Sequence, residues 1–383
     1  MEQRIKKILD DKRAAGLFRK LTAMHPTGDY RIIADGKEYI NLSSNDYLGL
    51  ASDKRLAEAS FKALSPVMGS SSSRLMTGTT SYHEELEERI CVFKRKPAAM
   101  VFNSGYQANV GIISALLGRN DCVFSDKLNH ASIIDGIKLS GAKMFRFKHN
   151  DAEHLEALLK AERHKYGTAL VVTETVFSMD GDISPLEKMT SLKDHYDLVL
   201  MVDEAHATGI FGERGSGVTE AKGAEEKVDI IMGTFSKALG GFGAYAAMSV
   251  GMRDYLINTC RSFIYSTSLP PSVIAANTEA LDIVEAEPHR RQELLKNSEY
   301  LRIKLKDRGF TVRGESQIVP VMIGGNPKTV KMSAFLKEKG FWVTPVRPPT
   351  VPRGEARLRL SLTFHHTKDM LDDLVKVMSE FKG

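Results

Sequence analysis

The chain has 383 residues, 42% hydrophobic and 26% charged, enough to bury a sizeable core and to form two or three packed units. Its formal net charge of +5 comes from 53 basic residues spread among 48 acidic ones without a long block of one sign. That pattern speaks against a dedicated nucleic-acid binder and leaves room for a local basic patch facing an anionic substrate.

Residues 1–21 space Ile5, Ile8, Leu9, Leu17, Phe18 and Leu21 as a helix would, with no continuous apolar stretch. The segment is expected to be neither a signal peptide nor a transit sequence. No later run is long and apolar enough to span a bilayer, so no membrane partner is expected. Cys91, Cys122 and Cys260 lie far apart without paired or metal-ligand spacing, so no metal is expected and a reduced cytoplasm is the simplest setting.

From about residue 97 to 250, short apolar runs alternate with amphipathic helical patterns, the signature of a mostly parallel sheet covered by helices, and the fold class is α/β. Strands are expected at 98–102, 122–125, 143–147, 169–173, 198–202, 229–233 and 244–249. Ser104, His130, Glu174, Asp203, His206 and Lys237 fall just after them, at the carboxyl ends where open α/β sheets bind ligands. After Pro270 and Pro271 two long helical patterns run to about residue 308, and a strand, helix, strand, strand, helix series begins near Ile318. The expected division is an N-terminal helix and arm over 1–47 that packs with the small domain, a large domain over 48–285 and a smaller α+β domain over 286–383.

The chemistry-bearing segments are each weak alone. Lys237 in TFSKALGGFG sits among small residues and glycines that let a bulky flat ring approach; a lone loop lysine is more often simply solvated. DEAHATG (203–209) follows a buried strand, where an unpaired aspartate is costly. Asp203 there suits a protonated ring nitrogen and His206 a ring oxygen, although a capping Asp with an incidental His would look the same. NSGYQAN places Ser104 and Gly105 in a turn before a helix with Val110, Ile113 and Leu117 inward, a candidate phosphate cup. His130 in NHASI could stack on a flat ring, or merely pack. Gly241, Gly243 and Ala246 spell a dinucleotide pattern with the wrong flanks, a polar run before it and a strand-like one after.

Taken in order, SNDYLGL, GSSSSRLMTGTTSYHEELE, NSGYQAN, NHASI, VFSMDGD, DEAHATG, TFSKALGG, YSTSLPP and RPPTVPRGEARLRLSLT resemble the α-oxoamine synthase family of pyridoxal-phosphate enzymes over nearly the whole chain. The resemblance implies an aspartate-aminotransferase-like (fold type I) transferase with pyridoxal 5'-phosphate as a Schiff base on Lys237. It implies Asp203 at the pyridine nitrogen, His206 at the phenolic oxygen and His130 on the ring face. Ser178 and Thr234 would contact the cofactor, with Gly105 and Tyr106 at its phosphate. Arg359 would take the substrate carboxylate, and Arg19, Asn45, His130 and Thr350 would line the substrate. It further implies an acyltransferase acting on an amino acid and an acyl-CoA or acyl-carrier-protein thioester. A homodimer with shared sites is implied too, in which Ser266 and Thr267 reach the partner's phosphate. RPPTVP and the short N-terminal lead are most similar to members that use L-alanine and a pimeloyl thioester in biotin biosynthesis. Members using glycine or serine with acetyl, succinyl or palmitoyl thioesters share the cofactor residues, and an aminotransferase would share the fold and the lysine. Two positions depart from the family pattern: Ser71 and Ala207 each stand where glycine is common.

Overall fold

The computed structural model describes residues 1–64 and 68–382. The chain divides into two compact units, one of Asp46–Ser178 and Ile183–Gln292, the other of Met1–Asn45, Met179–Asp182 and Glu293–Gly383.

The first unit is built on seven strands: β1 Ala98–Phe102, β2 Cys122–Asp126, β3 Lys143–Phe147, β4 Ala169–Glu174, β5 Val199–Asp203, β6 Ile230–Thr234 and β7 Ala244–Met248. They form one sheet in the order β1-β7-β6-β5-β4-β2-β3. Only β7 runs antiparallel, pairing with both β1 and β6. The strand after the GxGxxA glycines is thus real, and the dinucleotide reading falls with it. The central strands read as unbroken apolar runs because helices cover both faces. Met100, Val123, Leu170, Val172, Met201, Ile230 and Met232 are all buried in one cluster. Two neighbouring strands end on buried acids, since β4 closes on Glu174 and β5 on Asp203 within the ladder itself.

Three helices position the polar ends of these strands: α1 Ser81–Lys94, α2 Gly105–Leu116 and α3 Ala131–Ser140. The inward side of α2 is broader than the expected stripe, taking in Ala108, Asn109, Gly111, Ile112 and Ile113, while Val110 is only half-buried. The reason is that α2 packs on two sides. A Cβ on Gly136 of α3 would stand 2.9 Å from the Asn109 carbonyl oxygen, and one on Gly111 would stand 2.6 Å from Cys260 Sγ.

Below the DEAHATG loop, Lys94 at the end of α1 is fully buried against Glu204, Nζ to Oε2 2.7 Å. Lys94 Nζ also donates to Thr208 Oγ1 at 3.3 Å and to the Ser216 carbonyl, and Glu204 Oε1 accepts from the Thr219 N–H at 2.8 Å. Such a pair balances a large desolvation cost only while both charges and their hydrogen bonds persist. It ties residues 204, 208, 216 and 219 to one point.

In the second unit, Arg31–Ala34 and Lys37–Asn41 form a hairpin, and Phe341–Trp342 joins it in parallel beside Lys37–Asn41. Ile318–Gly324, Ala356–Ser361 and Pro345–Val346 form a separate antiparallel sheet. The expected strand after the helix Asn326–Glu338 is therefore split into two two-residue pieces in different sheets. The chain changes sheets at Val343–Thr344, where the Thr344 N–H bonds Ser43 Oγ at 2.8 Å, and Pro348 and Pro349 then remove further ladder donors. No helix among the described residues is long and apolar enough to cross a membrane.

Replacing Lys94 by Ala should cost about 3–5 kcal/mol in denaturant unfolding by stranding Glu204, whereas Lys94→Met with Glu204→Leu should recover most of that loss. Equal losses in the single and double variants would show that the pair does not act as a unit.

Candidate active site

Lys237 sits in the tight connection between β6 and β7. Gly240 there has a positive φ of 64°, and a Cβ on it would stand 2.3 Å from the Ala51 N, so neither side chain nor alternative backbone fits. The connection presents Lys237 Nζ to His206 Nε2 at 3.0 Å. His206 Nδ1 in turn meets the hydroxyl of Tyr47 at 2.7 Å. A protonated Lys237 donates to Nε2, which puts the ring proton on Nδ1 and makes Tyr47 the acceptor. When Lys237 is neutral, Tyr47 can donate instead. The three groups can therefore shift one proton's place along a chain of hydrogen bonds.

Asp203 is 6% exposed at the end of β5. Its Oδ1 accepts from the Ala205 N–H at 2.9 Å, and its Oδ2 accepts from Asn109 Nδ2 at 2.8 Å. The other Asn109 amide proton goes to Ser132 Oγ at 3.0 Å, which leaves the Ser132 hydroxyl proton for His130 Nδ1 at 2.8 Å. His130 Nδ1 is thus an acceptor, as it also is for the Ser132 N–H at 3.3 Å, and the ring proton belongs on Nε2. Burial pushes the His130 pKa below its usual range, the Lys237 cation adds to that, and Asp203 opposes it. His130 is a neutral imidazole offering an Nε2–H donor.

Ser104 caps α2, its Oγ accepting from the Gln107 N–H at 3.2 Å. The N–H groups of Gly105 and Tyr106, first in the helix, have no acceptor among the described residues, the condition for an anion cradle. Gly105 is required because a Cβ there would stand 2.8 Å from Thr234 Cγ2. Thr234 Oγ1 and Glu174 Oε1 are buried polar atoms without a hydrogen-bond partner. The Tyr106 hydroxyl donates to Asp135, and its ring meets His130 edge-on at 6.3 Å. Ser266 Oγ accepts from Gln107 Nε2 at 2.7 Å, and the Thr267 carbonyl accepts from Asn103 Nδ2 at 2.7 Å, so both flank the same helix start. An amine, an anion cradle of helix-start N–H groups, a buried carboxyl and orphaned polar atoms fit a flat, phosphorylated, protonated heteroaromatic ring such as pyridoxal phosphate.

The expected substrate residues gather separately in the second unit. Arg359 Nη2 donates to Asn45 Oδ1 at 3.2 Å, and its Nη1 donates to Ser361 Oγ. Two residues earlier on the same face of the strand, fully buried Arg357 pairs with Asp180. Arg19 Nη2 donates to Thr350 Oγ1 at 3.0 Å. Both residues line a cavity of about 630 Å³ whose walls include Phe18, Trp342, Val346 and Arg347. The family departures are explained locally: Ser71 has a φ of 48°, where glycine rests more easily, whereas Ala207 is buried at an ordinary φ.

Sequence reasoning missed Tyr47, Asn109 and Ser132. Tyr47 bonds a residue 159 positions away, which no local pattern reveals. Asn109 carried a usable signal, being a polar residue inside the apolar run of α2. Glu174 was visible at a strand end but had no assigned part.

A family model described as aminotransferase class I and II matches residues 37–378. The 8-amino-7-oxononanoate synthase of Geotalea daltonii is 48% identical over 97% of this chain and 95% of its own length. Among solved structures, serine palmitoyltransferase from S. paucimobilis with a bound PLP–myriocin adduct has a TM-score of 0.92 at 32% identity, covering 98% of this chain and 96% of that one. The 8-amino-7-oxononanoate synthase of Francisella tularensis has a TM-score of 0.78 at 30% identity, covering 89% of this chain and 97% of that one.

Tyr47→Phe should cost about 1–3 kcal/mol of stability by removing the hydroxyl at His206 Nδ1. Nitrogen NMR of the ring should then show mixed tautomers; a spectrum identical to the parent's would mean that Tyr47 does not set the His206 proton.

Proposed function

The chain belongs to the class I and II aminotransferase family, and from that membership we propose that it is a pyridoxal-phosphate enzyme that joins L-alanine to a pimeloyl thioester, releasing CO2 and free thiol. The observation that carries this reading is the grouping of Lys237, Asp203, His130, His206 and the Gly105–Tyr106 cradle at one end of the sheet. Within the family, near-full-length identity of 48% to an 8-amino-7-oxononanoate synthase outweighs the higher TM-score to a serine palmitoyltransferase, because the latter holds at only 32% identity. The product that the synthase's name prints is consistent with these reactants by carbon counting. A seven-carbon dicarboxylic acyl group gives the acid and the ketone carbons, and alanine Cα and Cβ complete the chain with the amine.

Pyridoxal phosphate, held by Lys237, supplies an electron sink for the bonding pairs broken at the amino-acid Cα. Asp203 would pair with the ring nitrogen's proton, and Asn109 and the Ala205 N–H orient that carboxyl. Lys237 would be the base that takes the Cα proton, with His206 and Tyr47 placed to redistribute its charge. Neutral His130 would lie beside the cofactor and offer Nε2–H to the thioester carbonyl. Ser178 and Thr234 would hold the cofactor's polar edge, and the Gly105 and Tyr106 N–H groups would hold its phosphate. Arg359 with Asn45 takes the amino-acid carboxylate. The cavity beside Arg19, Arg347 and Thr350 suits a flexible apolar chain ending in a carboxylate, since its cations stand among apolar walls.

We further infer a cytoplasmic homodimer. The segment carrying exposed Leu75 and Met76 is bridged to the one carrying exposed Tyr265 through Ser73 and Thr267. Exposed apolar side chains on two bridged segments beside the phosphate cradle fit a partner subunit, to whose phosphate Ser266 and Thr267 would reach.

Two measurements test the reading. Pyridoxal phosphate added to the full chain should give the long-wavelength absorption of a lysine-bound cofactor, and Lys237→Ala should abolish it. Thiol release should be fastest with alanine and pimeloyl-CoA or a pimeloyl carrier protein, by at least about tenfold over glycine or serine with acetyl, succinyl or palmitoyl thioesters. Fastest release with serine and palmitoyl thioester, or amino transfer without thiol release, would overturn it.

A further inference from the structure

Glu174 is 3% exposed and takes no part in the proposed chemistry. It closes β4 directly opposite Asp203 in the parallel ladder, so their side chains leave the same face of the sheet from neighbouring strands about 4.8 Å apart. The titratable groups that face it are few. Asp203 comes from β5, Lys237 from the connection after β6, and His130 stands at the start of α3. His130 is neutral, and its backbone N–H and that of Ser178 bond the Glu174 carboxyl, while Oε1 is buried without a partner. The local inventory is therefore two buried carboxyls against one lysine. Both oxygens of Asp203 accept from N–H donors, whereas Oε1 of Glu174 has no partner, so Glu174 is the carboxyl with an oxygen left to carry a proton.

We propose that Glu174 carries a proton in the resting protein, making it a carboxylic acid that leaves Asp203 as the one ionised carboxyl beside Lys237. The proton gives unpartnered Oε1 an O–H to offer to an acceptor oxygen of a bound ligand. It also removes a second negative charge that would hold Lys237 in its protonated, non-nucleophilic form. Glu174 is a positioning residue that sets charge on its neighbours. Burial, reinforced by the Asp203 charge, pushes its pKa up to about 8. This assignment concerns the protein without substrate and deepens the proposed function.

The sign of the linkage makes the test direct. A glutamate whose folded pKa lies above its unfolded value stabilises the fold fully below the unfolded pKa, near 4.3, and loses that stability as pH rises through the folded pKa. Glutamine mimics the protonated acid and titrates in neither state. Unfolding midpoints of the full chain and of Glu174→Gln, with and without pyridoxal phosphate, should be followed from about pH 5 to pH 9. The difference should grow in favour of the glutamine variant up to about pH 8 and then level off. A difference independent of pH, or a glutamine variant that fails to fold, would overturn the proposal. Carboxyl ¹³C shifts of glutamate-labelled protein give an independent reading. A protonated-type signal at neutral pH, lost in Glu174→Gln, is expected, and a full set of ionised signals would contradict it. Neither measurement uses an acyl thioester, so failure of the proposed reaction would leave this result standing.

Discussion

The structure of this site depends on keeping one negative charge dry. Asp203 ends a strand buried on both faces, where an unpaired carboxylate is costly. Asn109 and the Ala205 N–H compensate it from the protein side. Much of the surrounding arrangement can be traced to that need. Asn109 faces inward from α2 to reach it, and its second amide proton fixes Ser132, which fixes the tautomer of His130. The residue after Asp203 is a second buried acid, Glu204, held by Lys94, so the loop that carries Asp203 and His206 has little freedom to relax. Hydrogen bonds chosen for electrostatic reasons thus also set the directions of both histidines.

The sheet order explains why these groups share one end. Parallel strands β2, β4, β5 and β6 all release their chain at the same edge, so His130, Glu174, Asp203 and Lys237 arrive there from segments far apart in sequence. Antiparallel β7 returns the chain after the lysine-bearing connection, which is why that connection is short and rich in glycine. The result is a preorganised polar edge on a rigid apolar sheet, the arrangement electrostatic catalysis favours.

Much of this architecture is legible in the sequence. All seven strands of the large sheet lie within a residue or so of the apolar runs that announce them, because central parallel strands read as unbroken Val, Ile, Leu and Met. Lys237, Asp203, His206 and His130 are visible through strand-end placement and, more specifically, through the order of nine motifs. The expected inward stripe of α2 is too narrow because periodicity describes a helix with one buried side, and α2 has two. The two short strands at 341–346 escape notice because two residues carry no period. Tyr47 and Ser132 escape because a hydroxyl reveals its partner only once the chain is folded. The Lys94–Glu204 pair is hidden for the opposite reason: lysine and glutamate in a charged sequence read as surface residues until burial is seen.

In the proposed reaction Asp203 is the group that would make the cofactor an electron sink, and one substitution isolates that role. Asp203→Asn preserves shape and hydrogen-bonding reach but removes the charge. Thiol release from pimeloyl-CoA with alanine should fall by roughly two orders of magnitude or more in the variant, while its absorption spectrum shows pyridoxal phosphate still bound. Unchanged turnover with cofactor bound would contradict it.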